Sequence, residues 1–160
     1  MARRRVAVLI SGGGSNLQAL IDATAGVDGP ARIALVVSNR EDAYGLARAA
    51  RAGIATRIID HRRFADRAAF DAAVDAALRT AGVDLVCLAG FLRILGPAFV
   101  QAWHDRLLNI HPSLLPAYPG LHTHARAIAA GDAFAGCSVH LVTPKLDDGP
   151  ILGQARVPVE

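Results

Sequence analysis

Arg5-Val6-Ala7-Val8-Leu9-Ile10 runs directly into Ser11-Gly12-Gly13-Gly14-Ser15-Asn16, and from Leu17 onward the pattern turns helical. A short apolar run closed by a glycine cluster reads as a strand buried on both faces, because a half-exposed strand would alternate apolar with polar residues. The helix that follows points its unpaired N–H groups, and the positive end of its dipole, back at the glycine turn. The unit is therefore strand, glycine loop, helix, and its loop suits an anion such as a phosphate. A turn capped by Ser15 or Asn16, with no ligand, is the competing reading.

Single residues argue against two common versions of this unit. A G-x-G-x-x-G dinucleotide frame starting at Gly12 needs glycine where Leu17 stands, and the second strand ends in Ser38-Asn39 without the acid that would bind a ribose. A Walker loop needs Gly-Lys-Ser or Gly-Lys-Thr, whereas the single lysine of the chain is Lys145.

Outward from the loop, the periodicity predicts strands over Arg5–Ile10, Ile33–Ser38, Ala55–Ile59 and Asp84–Ala89, separated by helices over Asn16–Ala25, Ala43–Ala52 and Arg67–Ala81. After Gly90 it predicts a helix at Pro97–Trp103, a strand at Arg106–Ile110, a proline-rich loop, a helix at His124–Ala130 and strands at Cys137–Thr143 and Ile151–Val159. Apolar strands alternating with helices imply a single Rossmann-like α/β domain over residues 1–160, with a mostly parallel central sheet flanked by helices. Ligands of such sheets collect at the carboxyl ends of the strands, so the loops after Ile10, Ser38, Ala89, Ile110 and Thr143 are the ones to read for function.

Composition excludes several classes. With 52% hydrophobic and 19% charged residues over 160 positions, the chain can bury a substantial core and lies far from the disordered regime. No apolar run approaches the roughly 20 residues that span a bilayer, so no membrane partner is expected. The charge of +3 comes from scattered arginines without a basic block interleaved with aromatics, which argues against a nucleic-acid partner. Cys87 and Cys137 lie in apolar runs and read as small buried hydrophobes in a reduced, cytoplasmic setting.

Asn109 and His111 stand two apart at the end of a predicted strand, so their side chains share one face. An amide and an imidazole placed together can donate hydrogen bonds to an oxygen gaining negative charge, which acyl transfer through a tetrahedral intermediate requires. Asp147 and Asp148 fall in the turn Lys145-Leu146-Asp147-Asp148-Gly149-Pro150, where an aspartate is ordinarily a solvated cap. If Asp147 lay beside His111 it would favour the imidazolium. His111, His122, His124 and His140 lack the spacing of a zinc site, and neither a Cys–His nucleophile pair nor a Gly-x-Ser-x-Gly elbow is present; no metal and no covalent catalysis are expected.

These segments resemble the folate-dependent formyltransferases, and within them the phosphoribosylglycinamide formyltransferases, almost end to end: VAVLISGGGSNLQALIDA (6–23), VVSNREDAYGLARA (36–49), LAGFLRILGPAFV (88–100), LLNIHPSLLPAYPGLHTHARAI (107–128) and SVHLVTPKLDDGPILGQARVPV (138–159). The core Asn109-Ile110-His111-Pro112-Ser113-Leu114-Leu115-Pro116 belongs to the wider group, which includes the methionyl-tRNA formyltransferases and formyltetrahydrofolate deformylases. The Ser11–Asn16 loop and Tyr118–His124 point to the narrower one.

The resemblance implies the formyltransferase fold and a small-molecule reaction: the amine of phosphoribosylglycinamide attacks the formyl carbon of the co-substrate 10-formyltetrahydrofolate, in a monomer or homodimer. Asn109, His111 and Asp147 would be catalytic, and Gly14, Ser15 and Asn16 would hold the ribonucleotide phosphate. The folate would meet Arg67, Leu92, Arg93, Ile94, Leu95, Asn109, Thr143, Pro144, Lys145, Leu146 and Asp147. From periodicity alone, Leu92, Ile94 and Leu95 read as ordinary core. The chain departs from the family pattern at Asp148, where a small residue is common, and ends at Glu160, where the family continues with a further helix and strand. Deformylase activity, another folate-dependent formyl transfer, and a non-catalytic module using only the Ser11–Asn16 loop are the competing functions.

Overall fold

The computed structural model describes residues 2–160. Strand β1 (Arg4–Ile10) leads to helix α1 (Ser15–Thr24), then β2 (Ala31–Ser38), α2 (Gly45–Arg51), β3 (Thr56–Ile58), α3 (Arg67–Thr80) and β4 (Leu85–Leu88). There follow α4 (Pro97–Ala102), β5 (Leu107–His111), α5 (Thr123–Ala129), β6 (Phe134–Leu141) and β7 (Ile151–Pro158). All seven strands join one sheet in the order β3-β2-β1-β4-β5-β6-β7, parallel from β3 through β5.

The apolar run of β1 sits mid-sheet because both its faces are covered. Successive side chains of a strand point to opposite faces. Ala7 and Leu9 join Phe70, Val74 and Leu78 of α3 and Phe99 of α4, together with Trp103. Val8 and Ile10 face the other way, onto Leu17 and Ile21 of α1 and Ala49 of α2. Each fully buried Val, Leu, Ile or Phe side chain among these contributes roughly 1.5–3 kcal/mol. Helix α3 starts where Asp66 accepts a hydrogen bond from the Ala69 N–H at 2.8 Å, a side-chain cap that satisfies one orphan donor of the first turn.

Every predicted element is present, and most boundaries fall within two residues of expectation. The exception is β6, which begins at Phe134 rather than Cys137 and ends at Leu141. Its first residues, Phe134-Ala135-Gly136, lack the continuous apolar signature of the central strands because β6 is antiparallel to both neighbours and only partly covered.

That orientation corrects the expected placement of one loop. Leu141 pairs with Leu108, so the chain leaves β6 at the amino end of β5 rather than at its carboxyl end. The β6–β7 loop reaches the carboxyl end only by folding back. The cysteines are less enclosed than expected: Cys87 and Cys137 are free and half-buried, although burial pushes the Cys87 thiol up to about 11. Among the described residues no helix is long and apolar enough to cross a membrane.

Candidate active site

At the end of β1 the glycine loop is anchored to α2. The Gly45 N–H donates to the Gly12 carbonyl at 3.0 Å, and Arg48 Nε donates to the Gly13 carbonyl at 2.8 Å. A trans peptide points its C=O and N–H to opposite sides, so these two anchors turn the N–H groups of Gly13 and Gly14 away from α2. Gly14 adopts φ +76°, and a Cβ there would lie 2.7 Å from the Gly45 Cα, which restricts this position to glycine. Helix α1 has no side-chain cap, and Ser15 and Asn16 are exposed, so the self-capped turn is not what the loop forms. Its open N–H groups and the α1 dipole suit an anion.

Asn109 and His111 sit at the carboxyl end of β5 as expected. His111 is buried; its Nε2 lies 2.9 Å from the Tyr118 carbonyl, and its Nδ1 lies 3.4 Å from Asp147 Oδ1. A carbonyl only accepts, so Nε2 carries a proton, and a carboxylate opposite Nδ1 suits a second one. The ring is thus held between a backbone carbonyl and a buried carboxylate. The Nε2–H of His111 is held by the Tyr118 carbonyl.

Asp147 overturns the solvated-cap expectation for that turn: only 7% of its side chain is exposed. Its backbone is at φ +53°, a conformation Asp tolerates better than most residues, and its Oδ2 accepts from the Gly120 N–H at 2.9 Å. The folded-back β6–β7 loop and the Tyr118–Gly120 turn therefore close on each other through one carboxylate. Asp148 instead points outward, in an exposed pair with Lys145 at 3.4 Å, and surface pairs of this kind stabilise by about 0–1 kcal/mol.

One participant escaped the sequence reading. His140 of β6, weighed there only as a zinc ligand, pairs across the sheet with Asn109. Its Nδ1 lies 3.0 Å from the Leu141 carbonyl and must donate to it, leaving Nε2 to accept from Asn109 Nδ2 at 3.3 Å. Asn109 is thereby oriented with one amide hydrogen still free. Nothing in the sequence marks the β5–β6 register that places His140 there. His122 and His124 are exposed, and among the described residues no group of His, Cys, Asp or Glu is placed to hold a metal ion.

The remaining residues fall around the same end of the sheet with mixed exposure. Leu92 and Ile94 are 72% and 63% exposed, contrary to their core-like periodicity, whereas Leu95 is buried. Arg93 is half-buried; Arg67 is exposed on the rim of a groove of about 480 Å³ that Asp71, Gly96 and Pro97 also line. On the β6–β7 loop, Thr143 is half-buried, while Pro144, Lys145 and Leu146 are exposed. Apolar side chains held out to solvent beside a buried polar cluster are what a flat, partly apolar ligand would cover.

Comparison with known proteins agrees with this arrangement. The family described as Formyl transferase matches residues 4–160. The phosphoribosylglycinamide formyltransferase of Escherichia coli K12 is 54% identical over 156 residues, covering 96% of this chain and 73% of that protein. The trifunctional purine biosynthetic protein adenosine-3 of Drosophila melanogaster is 53% identical over 161 residues, covering 98% of this chain. The chain spans only 12% of that larger protein's length. Among solved structures, phosphoribosylglycinamide formyltransferase from Brucella melitensis superposes with a TM-score of 0.95 at 52% identity, over 99% of this chain and 81% of that one. With one family matched from Arg4 to the last residue, and a solved structure of that architecture alongside, this chain belongs to the formyl transferase family.

Proposed function

We propose that this chain transfers the formyl group of 10-formyltetrahydrofolate to the amine of 5'-phosphoribosylglycinamide, a step of de novo purine biosynthesis in the cytoplasm. The observation that carries the reading is the buried His111–Asp147 pair beside Asn109, on a chain 54% identical to an enzyme of that name.

The open N–H groups of the glycine loop, at Gly14, Ser15 and Asn16, receive the ribonucleotide phosphate. The folate lies along Leu92–Leu95 and Thr143–Asp147, with Arg67 available to its carboxylates. When the substrate amine adds to the formyl carbon, the carbonyl oxygen takes up negative charge. Asn109 donates its free amide hydrogen to that oxygen, and His111 exchanges its Nε2–H bond to the Tyr118 carbonyl for one to the same oxygen. Asp147 keeps the imidazolium charged while that exchange occurs. Collapse breaks the bond from the formyl carbon to the folate nitrogen, and the proton lost by the amine passes, through water held near Asp147, to that departing nitrogen. Asn109 and His111 meet the developing charge, so the scheme invokes no metal and no covalent enzyme intermediate.

The test is a spectrophotometric formyl-transfer assay with both substrates, on this chain and on His111→Ala. Turnover that requires the ribonucleotide and disappears in the variant is expected. Formate release without the ribonucleotide would instead assign a deformylase, and phosphate-dependent binding by a protein inert with both substrates would leave only the glycine-loop module.

A further inference from the structure

Segment Leu92–Gly96 carries two exposed leucine-type side chains, yet both of its ends are hydrogen-bonded to buried side chains from distant parts of the chain. At one end the Leu92 N–H donates to Ser11 Oγ at 2.9 Å. Ser11 is 3% exposed, and its hydroxyl donates in turn to Asn39 Oδ1 at 2.6 Å. Asn39 is itself buried, and its Nδ2 lies 3.2 Å from His61 Nδ1, so the chain from Leu92 through Ser11 and Asn39 to His61 is satisfied at each link. At the other end the Gly96 N–H donates to Asp71 Oδ2 at 2.7 Å. Asp71 is 7% exposed on α3, and its second oxygen has no hydrogen-bond partner. A Cβ at position 96 would stand 2.9 Å from the bonded oxygen, so glycine gives the carboxylate room.

A carboxylate kept this far from water, with one oxygen unpaired, costs stability. The bond does not offset that cost by capping α4, because it is made to the N–H of Gly96, the N-cap residue itself, and α4 has no side-chain cap. What the Ser11 and Asp71 bonds do together is fix both ends of the segment, while Leu95 anchors its middle in the core. Leu92 and Ile94 are thereby kept outward, where otherwise an apolar pair would fold in. Building on the proposed function, we infer that Ser11 and Asp71 are positioning residues that preorganise Leu92–Leu95 as the apolar platform for the formyl donor. Neither touches the donor. Each acts by holding a backbone N–H, so the entropy of ordering the segment is met on folding rather than on binding.

The experiment is steady-state kinetics on Ser11→Ala, Asp71→Ala and Asp71→Asn, with amide hydrogen exchange across residues 91–97 of the ligand-free proteins. Ser11→Ala and Asp71→Ala should each raise KM for the formyl donor about tenfold, as loss of one buried hydrogen bond predicts, with kcat and the ribonucleotide KM within about twofold. Asp71→Asn, which keeps an oxygen acceptor for the Gly96 N–H, should restore most of the donor KM. Exchange should quicken at Leu92 in Ser11→Ala and at Gly96 in Asp71→Ala. Unchanged donor KM with unchanged exchange overturns the inference, as does an equal rise in both substrates' KM values, which would mark general loosening. Exchange needs no substrate. Faster exchange in a protein inert toward both substrates would therefore defeat the proposed reaction while upholding the pinning of the segment.

Discussion

His111 is defined by its two neighbours. With the Tyr118 backbone carbonyl at Nε2 and the Asp147 carboxylate 3.4 Å from Nδ1, only the second neighbour can be altered by substitution. Asp147→Asn keeps the shape but removes the charge, and kcat should fall about 10²-fold or more with KM values little altered. On the proposed mechanism Asn109→Ala removes a direct donor to the oxyanion and should cost about 10²–10³ in kcat. A full-rate Asp147→Asn enzyme would mean that His111 works as a neutral donor. Cys87 offers a check on the burial of the central sheet. With its thiol near 11 it holds only about one thiolate per thousand at pH 8, against about a quarter for an ordinary thiol, so iodoacetamide should modify Cys87 slowly until the pH is raised well above 9. Rapid labelling of Cys87 at pH 8 would contradict that burial.

Among the elements, the glycine loop depends on backbone geometry more than on any side chain. Gly14→Ala would have to hold φ +76° with a Cβ against the Gly45 backbone, so the loop must shift from α2. Ribonucleotide KM should rise at least tenfold while donor affinity holds, and a variant with normal ribonucleotide KM would remove the phosphate site from this loop. The glycine loop and strands β1–β5 were legible from periodicity because short apolar runs alternate with helical patterns, most clearly in β1, whose last five residues are buried. Helix α3 shows this well, running from its Asp66 cap to Gly82. Strand β6 was misplaced by three residues because an antiparallel, partly covered strand carries Gly136 and an exposed Phe134 where a parallel one would carry valines.

For the whole molecule, the candidate site is an assembly of loops far apart in sequence: residues 14–16, 92–95, 109–120 and 143–147. Ligands that bridge them stabilise the folded state by mass action, by about 2.7 kcal/mol at a hundred times Kd. In a domain of this size that corresponds to a rise in Tm of about 5–10 °C, measurable by calorimetry with the formyl donor or the ribonucleotide, and it should survive in His111→Ala, where binding but not transfer is kept. A ligand that shifts neither protein would not be binding at these loops. The sequence by itself determined the doubly wound α/β plan, the glycine loop and the identity of Asn109, His111 and Asp147 as candidates, because buried parallel strands, tight turns and short motifs are encoded by neighbouring residues. Only the tertiary structure decided that β6 runs antiparallel, that His140 stands opposite Asn109, that Asp147 folds back to His111, and that Ser11 and Asp71 hold the ends of Leu92–Gly96. Those relations depend on register, loop closure and long-range hydrogen bonds, which join residues whose spacing along the chain carries no trace of the contact.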